Sequence, residues 1–511
     1  MSEQQINFPQ GKGRKSLKLG IRLAFFALAL VWSALILQDF RSFITISPEA
    51  NRDEFAEGMD QALEIAMREY SIAGVAAGAF RDGELIWSAR RGLASEAGDP
   101  VTSQTAFNLG SVSKPIAVWA VLSLVQSGQI DLDESVENYL TRFSLPESEF
   151  DSDAVTVRRL LHHTGGTNNH GYGGYGVHED QPADIIELSE TYEPLGLVRE
   201  PGLARVYSGG GYVLLQMMIE DVTGQSLDDY VRTRVFEPLG MVASGFEPNE
   251  LPTRSAAFSY YGHEIEDLRD VAQTAAGAYA SGEDIEKFLL AHLDGGGVLS
   301  EESLETIFAP TEASENFAMS YVRQETPQGL LFGHGGNNSS WNSQIYFRPD
   351  VGDGFYFLTN STSGAQLDFD LSCAWLSQVY TERMSDRCVE AIDLTHKFSV
   401  ASMMTGLAVL AIFYWLIAGI ALKKRAFKLR PSGRGPLRLT GRMVMFALSV
   451  VMFGLSIWMF YTNFLYWRTE VVFMDEMPVD ELEYLSAAFV CLLAILSASF
   501  WSSPVSRFQK T

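Results

Sequence analysis

Residues 111–128 read Ser-Val-Ser-Lys-Pro-Ile-Ala-Val-Trp-Ala-Val-Leu-Ser-Leu-Val-Gln-Ser-Gly, and this stretch decides the fold. Its apolar residues (Ile116, Val118, Val121, Leu122, Leu124, Val125) recur at helical pace, and Gly128 ends the run. Ser111 stands at the start of that helix, where free backbone N–H groups and the positive end of the dipole favour developing negative charge. Three residues along a helix share a face, so Lys114 lies one turn from Ser111. Desolvation lowers a lysine's pKa, leaving a neutral amine able to take the serine proton. The same four residues have a second reading, an N-cap serine followed by a lysine whose head snorkels to water.

Chance alone gives Ser-x-x-Lys about twice in a chain this long. Here it occurs once, and residues 51–390 contain only two lysines, Lys114 and Lys287. Net charge is distributed as +3 over residues 1–50, −33 over 51–390 and +5 over 391–511 of the 511-residue chain. The middle is therefore an acidic body, which excludes nucleic acid as a partner because a polyanion would be repelled. The three cysteines are Cys373, Cys388 and Cys491, too few for a disulfide scaffold. Cys373 and Cys388 can pair if both lie outside the cytoplasm. No His-Glu-x-x-His occurs, and no serine sits at the centre of Gly-x-Ser-x-Gly. No metal or cofactor is expected, and neither is an α/β-hydrolase elbow.

Four uncharged stretches are expected to cross a membrane: residues 23–38, 398–422, 443–467 and 484–506. The last three meet the length of about 20 apolar residues that a spanning helix needs. The first meets it if Arg22 snorkels, and it lacks a persuasive cleavage site, so a retained anchor is expected over a cleaved signal peptide. The tail 1–22 is basic, the loop 423–442 holds eight Lys/Arg and no acid, and the loop 468–483 is acidic. The positive-inside rule then puts the tail and the basic loop in the cytoplasm and the body outside. The three C-terminal spans carry no charge, so they read as anchors and not as a transport path.

Within the body, residues 55–70 predict an amphipathic helix, and Asp82-Gly83 predicts a hairpin turn between strands 75–80 and 84–88. Strands are expected at 344–347 and 354–360, then a helix over 367–382. Strands at both ends of a mostly helical stretch predict one α+β domain.

Outward from Ser111, the body resembles the serine β-lactamase family, its class C branch in particular, which includes DD-peptidases and related esterases. The resemblance runs through Thr156-Val-Arg-Arg-Leu-Leu-His-His-Thr-Gly-Gly166, Val206–Met241, Ala275–Leu290 and Gly333–Asn337, and covers roughly residues 50–385. It implies a serine β-lactamase/DD-peptidase-like fold, an antiparallel sheet flanked by helices plus a helical subdomain. Taken with the four spans and the positive-inside charges, it gives an expected extracytoplasmic hydrolase domain over 50–392 in a multi-pass protein of a bacterial cell (inner) membrane. Ser111 would be the nucleophile and Lys114 its proton acceptor. Tyr207-Ser208-Gly209 stands where the family has Tyr-x-Asn, so Tyr207 would shuttle protons, as a base only if cations favour its phenolate. His334-Gly335-Gly336 stands where lactamases have Lys-Thr-Gly. His334, Gly335 and Gly336 would line the substrate, and the N–H groups of Ser111 and Asn337 would form the oxyanion hole.

Gly209 cannot make the family asparagine's amide contact, and Gly335 lacks the hydroxyl that holds a substrate carboxylate. Both departures favour an esterase or peptidase over a lactamase. Outside the family context, a histidine before two glycines reads as a turn residue. His162 and His163 end a helix, and His170 and His178 flank a glycine-rich loop, 171–176, which is a lid or a connector. The expected reaction forms an acyl-enzyme on a small-molecule or cell-wall-type ester or amide. The alternative is a sensor with a penicillin-binding-like domain that signals through the C-terminal helices with little turnover.

Overall fold

Asp82 and Gly83 both adopt positive φ, 52° and 77°, the turn whose twist matches that of paired strands. They join β1 (Gly74–Arg81) to β2 (Glu84–Gly92), the hairpin the sequence predicts. These strands belong to a six-stranded antiparallel sheet in the computed structural model, which describes residues 44 and 46–379 except 170, 172, 173, 177, 260, 267, 312, 327, 328 and 339. The other strands come from the far end of the body: β3 (Val322–Thr326), β4 (Gly329–Asn338), β5 (Trp341–Arg348) and β6 (Asp353–Thr359). Their order is β2-β1-β6-β5-β4-β3, so the first hairpin docks on the last strand. β3 pairs with β4 only as far as Val322↔Gly333, and β4 also meets the 3-10 turn Gly110–Val112 and the π-turn Gln273–Gly277.

Helix α1 (Arg52–Tyr70) starts on Asn51 and Glu54, whose side chains cap each other's backbone N–H groups. Its buried residues Phe55, Met59, Leu63 and Ala66 follow the helical repeat and pack on β2. Two further helices, α2 (Ser113–Gln126) and α3 (Gly209–Thr223), are buried almost all round and form the heart of the helical region. Helix α4 (Gly282–Asp294) packs against β1 and β6. The expected helix over 367–382 is a π-turn, Asp368–Ser372, followed by α5 (Cys373–Val379). Ile46 N–H donates to Ser377 Oγ at 2.9 Å, so the body begins and ends at one place. Cys373 is disulfide-bonded, and its partner lies outside the described residues.

The described residues belong to one unit, Phe43–Ser385, with the α+β architecture the sequence predicts. The four expected spans and His170 lie outside the described residues. Among the described residues, no helix is long and apolar enough to cross a membrane.

Candidate active site

The turn that holds Ser111 differs from the expected helix start in its winding. Gly110–Val112 form a 3-10 turn, and the α-helix begins at Ser113. Ser113 explains the change, because its Oγ donates to Gly110 O at 2.6 Å and accepts from Ala278 N–H at 2.9 Å. Ser111 caps neither helix and stays half-buried with its hydroxyl available.

Lys114 does not snorkel. It is 2% exposed, and its Nζ lies 3.3 Å from Ser111 Oγ and 2.6 Å from Ala275 O. That carbonyl comes from a π-turn, Gln273–Gly277. The ammonium also faces the rings of Tyr207 and Tyr212, 4.7 Å and 5.5 Å from their centroids. Burial without a carboxylate beside it pushes the Lys114 pKa down to about 7. At neutral pH a large fraction is therefore a free amine in contact with a serine hydroxyl.

Tyr207 arrives from the segment before α3, buried beside the Ser111–Lys114 pair, with the Lys114 Nζ 4.7 Å from its ring centroid. Burial raises its pKa, against the smaller opposing effects of the Ser111 hydroxyl and the Arg205 charge, so it stays a phenol. That removes the phenolate expected if cations dominated, and leaves Tyr207 with a proton to donate. His163, read from sequence only as a helix end, lies against it with ring centroids 4.4 Å apart. His163 Nδ1 accepts from Ser208 N–H at 3.2 Å and its carbonyl accepts from Val206 N–H at 2.9 Å, which fixes the backbone on both sides of Tyr207. Burial first, then the Arg205 and Lys114 charges, hold His163 neutral. Ser208 caps α3 through Gly211 N–H, and Gly209 is its first residue.

His334 is a strand residue, not a turn residue. It sits on β4, 1% exposed, with its ring centroid 6.4 Å from that of Tyr207. Burial, then the Lys114 charge, lowers its pKa to about 3. Its Nδ1 lies 2.8 Å from Gly335 O, a group that only accepts, so Nδ1 carries the proton and Nε2 presents a lone pair. The third motif therefore offers an acceptor where a lysine would offer a cation.

Backbone contact seats the serine turn on β4. Gly110 has φ +50°, and a Cβ there would stand 2.7 Å from Asn337 N. On Gly336 a Cβ would stand 2.0 Å from Leu109 O, the carbonyl that Ser343 Oγ already holds at 2.7 Å. Gly110, the residue before Ser111, is thus held against the Asn337 backbone. Gly335 faces Gln344, whose Oε1 would meet its Cβ at 2.7 Å.

Sequence reading missed Asp270, Asn108 and Asn338. Asp270 Oδ2 accepts from Asn338 Nδ2 at 2.8 Å and from Asn108 Nδ2 at 3.1 Å, while Asn108 Oδ1 accepts from Gly110 N–H at 2.8 Å. Burial pushes the Asp270 carboxyl up to about 7, against the two amide donors. Of the glycine-rich loop, Tyr175 pairs with Arg269 through both backbone groups, at 3.0 and 2.9 Å. Among the described residues, no cluster of His, Cys, Asp or Glu is arranged to hold a metal.

The site thus sets a buried lysine and a buried tyrosine beside a half-buried serine, where the helical region meets the antiparallel sheet. Residues 54–377 match the Beta-lactamase family, and the chain belongs to that family. It is 31% identical over 237 residues to Penicillin-binding protein 4 of Amycolatopsis lactamdurans, covering 45% of this chain and 61% of that protein. To Esterase EstB of Burkholderia gladioli it is 33% identical over 225 residues, covering 42% of this chain and 57% of that protein. The chain thus spans about six tenths of the length of the curated relatives it matches. The fold matches an octameric penicillin-binding protein homologue from Pyrococcus abyssi, with TM-score 0.54, 21% identity and coverage of 63% of this chain and 80% of that one. It also matches a class C beta-lactamase, with TM-score 0.53, 18% identity and coverage of 63% and 97%.

Proposed function

We propose that this protein is a membrane-anchored, extracytoplasmic serine hydrolase that cleaves an ester or amide through an acyl-enzyme on Ser111. The observation that carries this reading is the desolvated Lys114 amine, 3.3 Å from Ser111 Oγ with its pKa brought down to about 7. The neutral amine takes the serine proton as Oγ attacks the carbonyl. The backbone N–H groups of Ser111 and Asn337 receive the charge that forms on the carbonyl oxygen. Tyr207, kept a phenol by burial and lying beside Lys114, relays the proton to the departing group, and water then releases the acyl chain.

Relatives carry names of penicillin-binding proteins, an esterase and putative D-alanyl-D-alanine carboxypeptidases. Gly209 and Gly335 point this chain towards the esterase or peptidase end of that range. The basic flanks and the adjoining Ile46 and Ser377 suit a body tethered at both ends to one membrane face. A fluorophosphonate probe is expected to label the wild-type chain and not Ser111→Ala, read by intact mass. Labelling that survives the substitution would overturn the assignment.

A further inference from the structure

The side chains of β4 that face the helical region run in order along the strand as His334, Gly336 and Asn338. A strand rises about 3.3 Å per residue, so this row is roughly 13 Å long. At one end His334 lies beside Tyr207, with Lys114 over the same ring. Gly336, in the middle, backs onto Leu109 and the nucleophile's turn. Asn338, at the other end, holds Asp270.

This order gives the site a direction. A leaving group needs a proton, and the groups that carry one, Tyr207 and Lys114, lie at the His334 end. The acyl substituent must then run towards Asn338 and Asp270. The carboxyl is two hydrogen bonds from Gly110, the residue before Ser111.

Asn108 and Asn338 both donate to Asp270 Oδ2, and both are neutral amides. Among the described residues, no Lys or Arg forms an ion pair with Asp270, and Oδ1 accepts no hydrogen bond. Gly174 passes beside that oxygen, where a Cβ would stand 3.4 Å away and 2.4 Å from Leu268 Cβ, so the loop can approach only without a side chain. Asp270 is half-buried, not fully enclosed. The surrounding body carries −33 over residues 51–390, a field that draws cations and repels anions. Gly335 meanwhile lacks any group to hold a substrate carboxylate.

We propose that Asp270 Oδ1 receives an ammonium group carried on the acyl portion of the substrate, so that amine-bearing acyl esters or amides are preferred over neutral or anionic ones. The proposal rests on the hydrolase reading above, and burial is what makes the pairing strong. A carboxylate held by two amides and no cation is under-compensated, and a bound ammonium supplies the missing charge.

Two p-nitrophenyl phosphonates test it on the purified full chain, one with a 3-aminopropyl substituent and one with butyl. In each, a Ser111 Oγ–phosphorus bond forms, p-nitrophenolate leaves with the electron pair, and Lys114 takes the serine proton. Absorbance gives the rate and intact mass locates the adduct. The amine probe is expected to label the wild type about tenfold faster or more. In Asp270→Asn the ratio of the two rates should fall to about one, whatever happens to the butyl rate, and Asp270→Glu should retain part of it. A wild-type ratio near one, or a ratio unchanged in Asp270→Asn, overturns the proposal, while butyl labelling of Ser111 leaves the hydrolase standing. If neither probe labels Ser111, both readings fall.

Discussion

The two lysines of the body sit on helices and share a side chain, yet their surroundings drive them in opposite directions. Lys287, on α4, lies 3.2 Å from Asp284 and 3.3 Å from Glu283 and donates to Gly240 O at 2.6 Å. Burial works to lower its pKa, but the two carboxylates win and hold it above the ordinary value. Lys114, on α2, has a carbonyl, a hydroxyl and two aromatic faces, and burial brings it to about 7. Proton affinity here is a property of the neighbours. A carboxylate partner makes a lysine a permanent cation and a structural tie. Withholding that partner makes it a base.

The largest break in that contrast comes from removing the amine. Lys114→Met is expected to lower the acylation rate about 10³-fold. Lys114→Arg should fare no better, because a guanidinium does not deprotonate in this range. Lys287→Met should leave the rate within about threefold. Stopped-flow acylation by a p-nitrophenyl ester reads all three, and wild-type speed in Lys114→Met would remove the lysine from the mechanism. The pH profile follows from the same pKa. The active form is the neutral amine, so the rate should climb with pH and level off above about 7.

Tyr207→Phe sharpens the comparison at the next level down. A phenol that relays a proton matters when the leaving group needs one. An anilide or alkyl ester should therefore lose about 10²-fold, and a p-nitrophenyl ester, whose phenolate leaves unaided, under about tenfold. Equal losses on both substrates would make Tyr207 a packing residue.

How much of this was legible beforehand follows the range of the interactions. Ser111 and Lys114 are three residues apart on one helical run, so spacing alone joins them. The Asp82-Gly83 hairpin and the α1 periodicity are likewise local and were readable. Tyr207, His334 and Asn337 became candidates only through family resemblance, since nothing within ten residues of each says what it will face. Asp270 had no signal of either kind. Its partners Asn108 and Asn338 lie 162 and 68 residues away, and lone amides and acids carry no pattern. His163 looked like a helix end; it follows the C-cap residue His162 with a positive φ of 58°, and its ring lies against Tyr207. The phenol state of Tyr207 and the neutral state of His334 depend on burial, which no spacing reports.

The smallest expected effect is on stability, and it separates the two lysines by the sign of their pH dependence. A lysine with a folded pKa near 7 and an unfolded value near 10.5 is bare in the folded state and protonated in the unfolded state between those limits. The unfolded state then binds more protons, so wild-type stability gained from this group rises with pH across that window and is lost as pH falls towards 7. Lys114→Met, which removes the buried charge along with the base, should therefore stabilise the body by about 1–3 kcal/mol at pH 6, with the gain shrinking by pH 9. Lys287 has its pKa raised, so its contribution is complete below 10.5 and declines only above it. At 31% side-chain exposure its ion pairs are partly screened, and Lys287→Met should cost about 1 kcal/mol or less, unchanged between pH 6 and 9. Thermal unfolding of the three proteins at both pH values measures this. A Lys114→Met gain that stays flat with pH would mean that Lys114 is protonated throughout, and the contrast between the two lysines would then be one of packing alone.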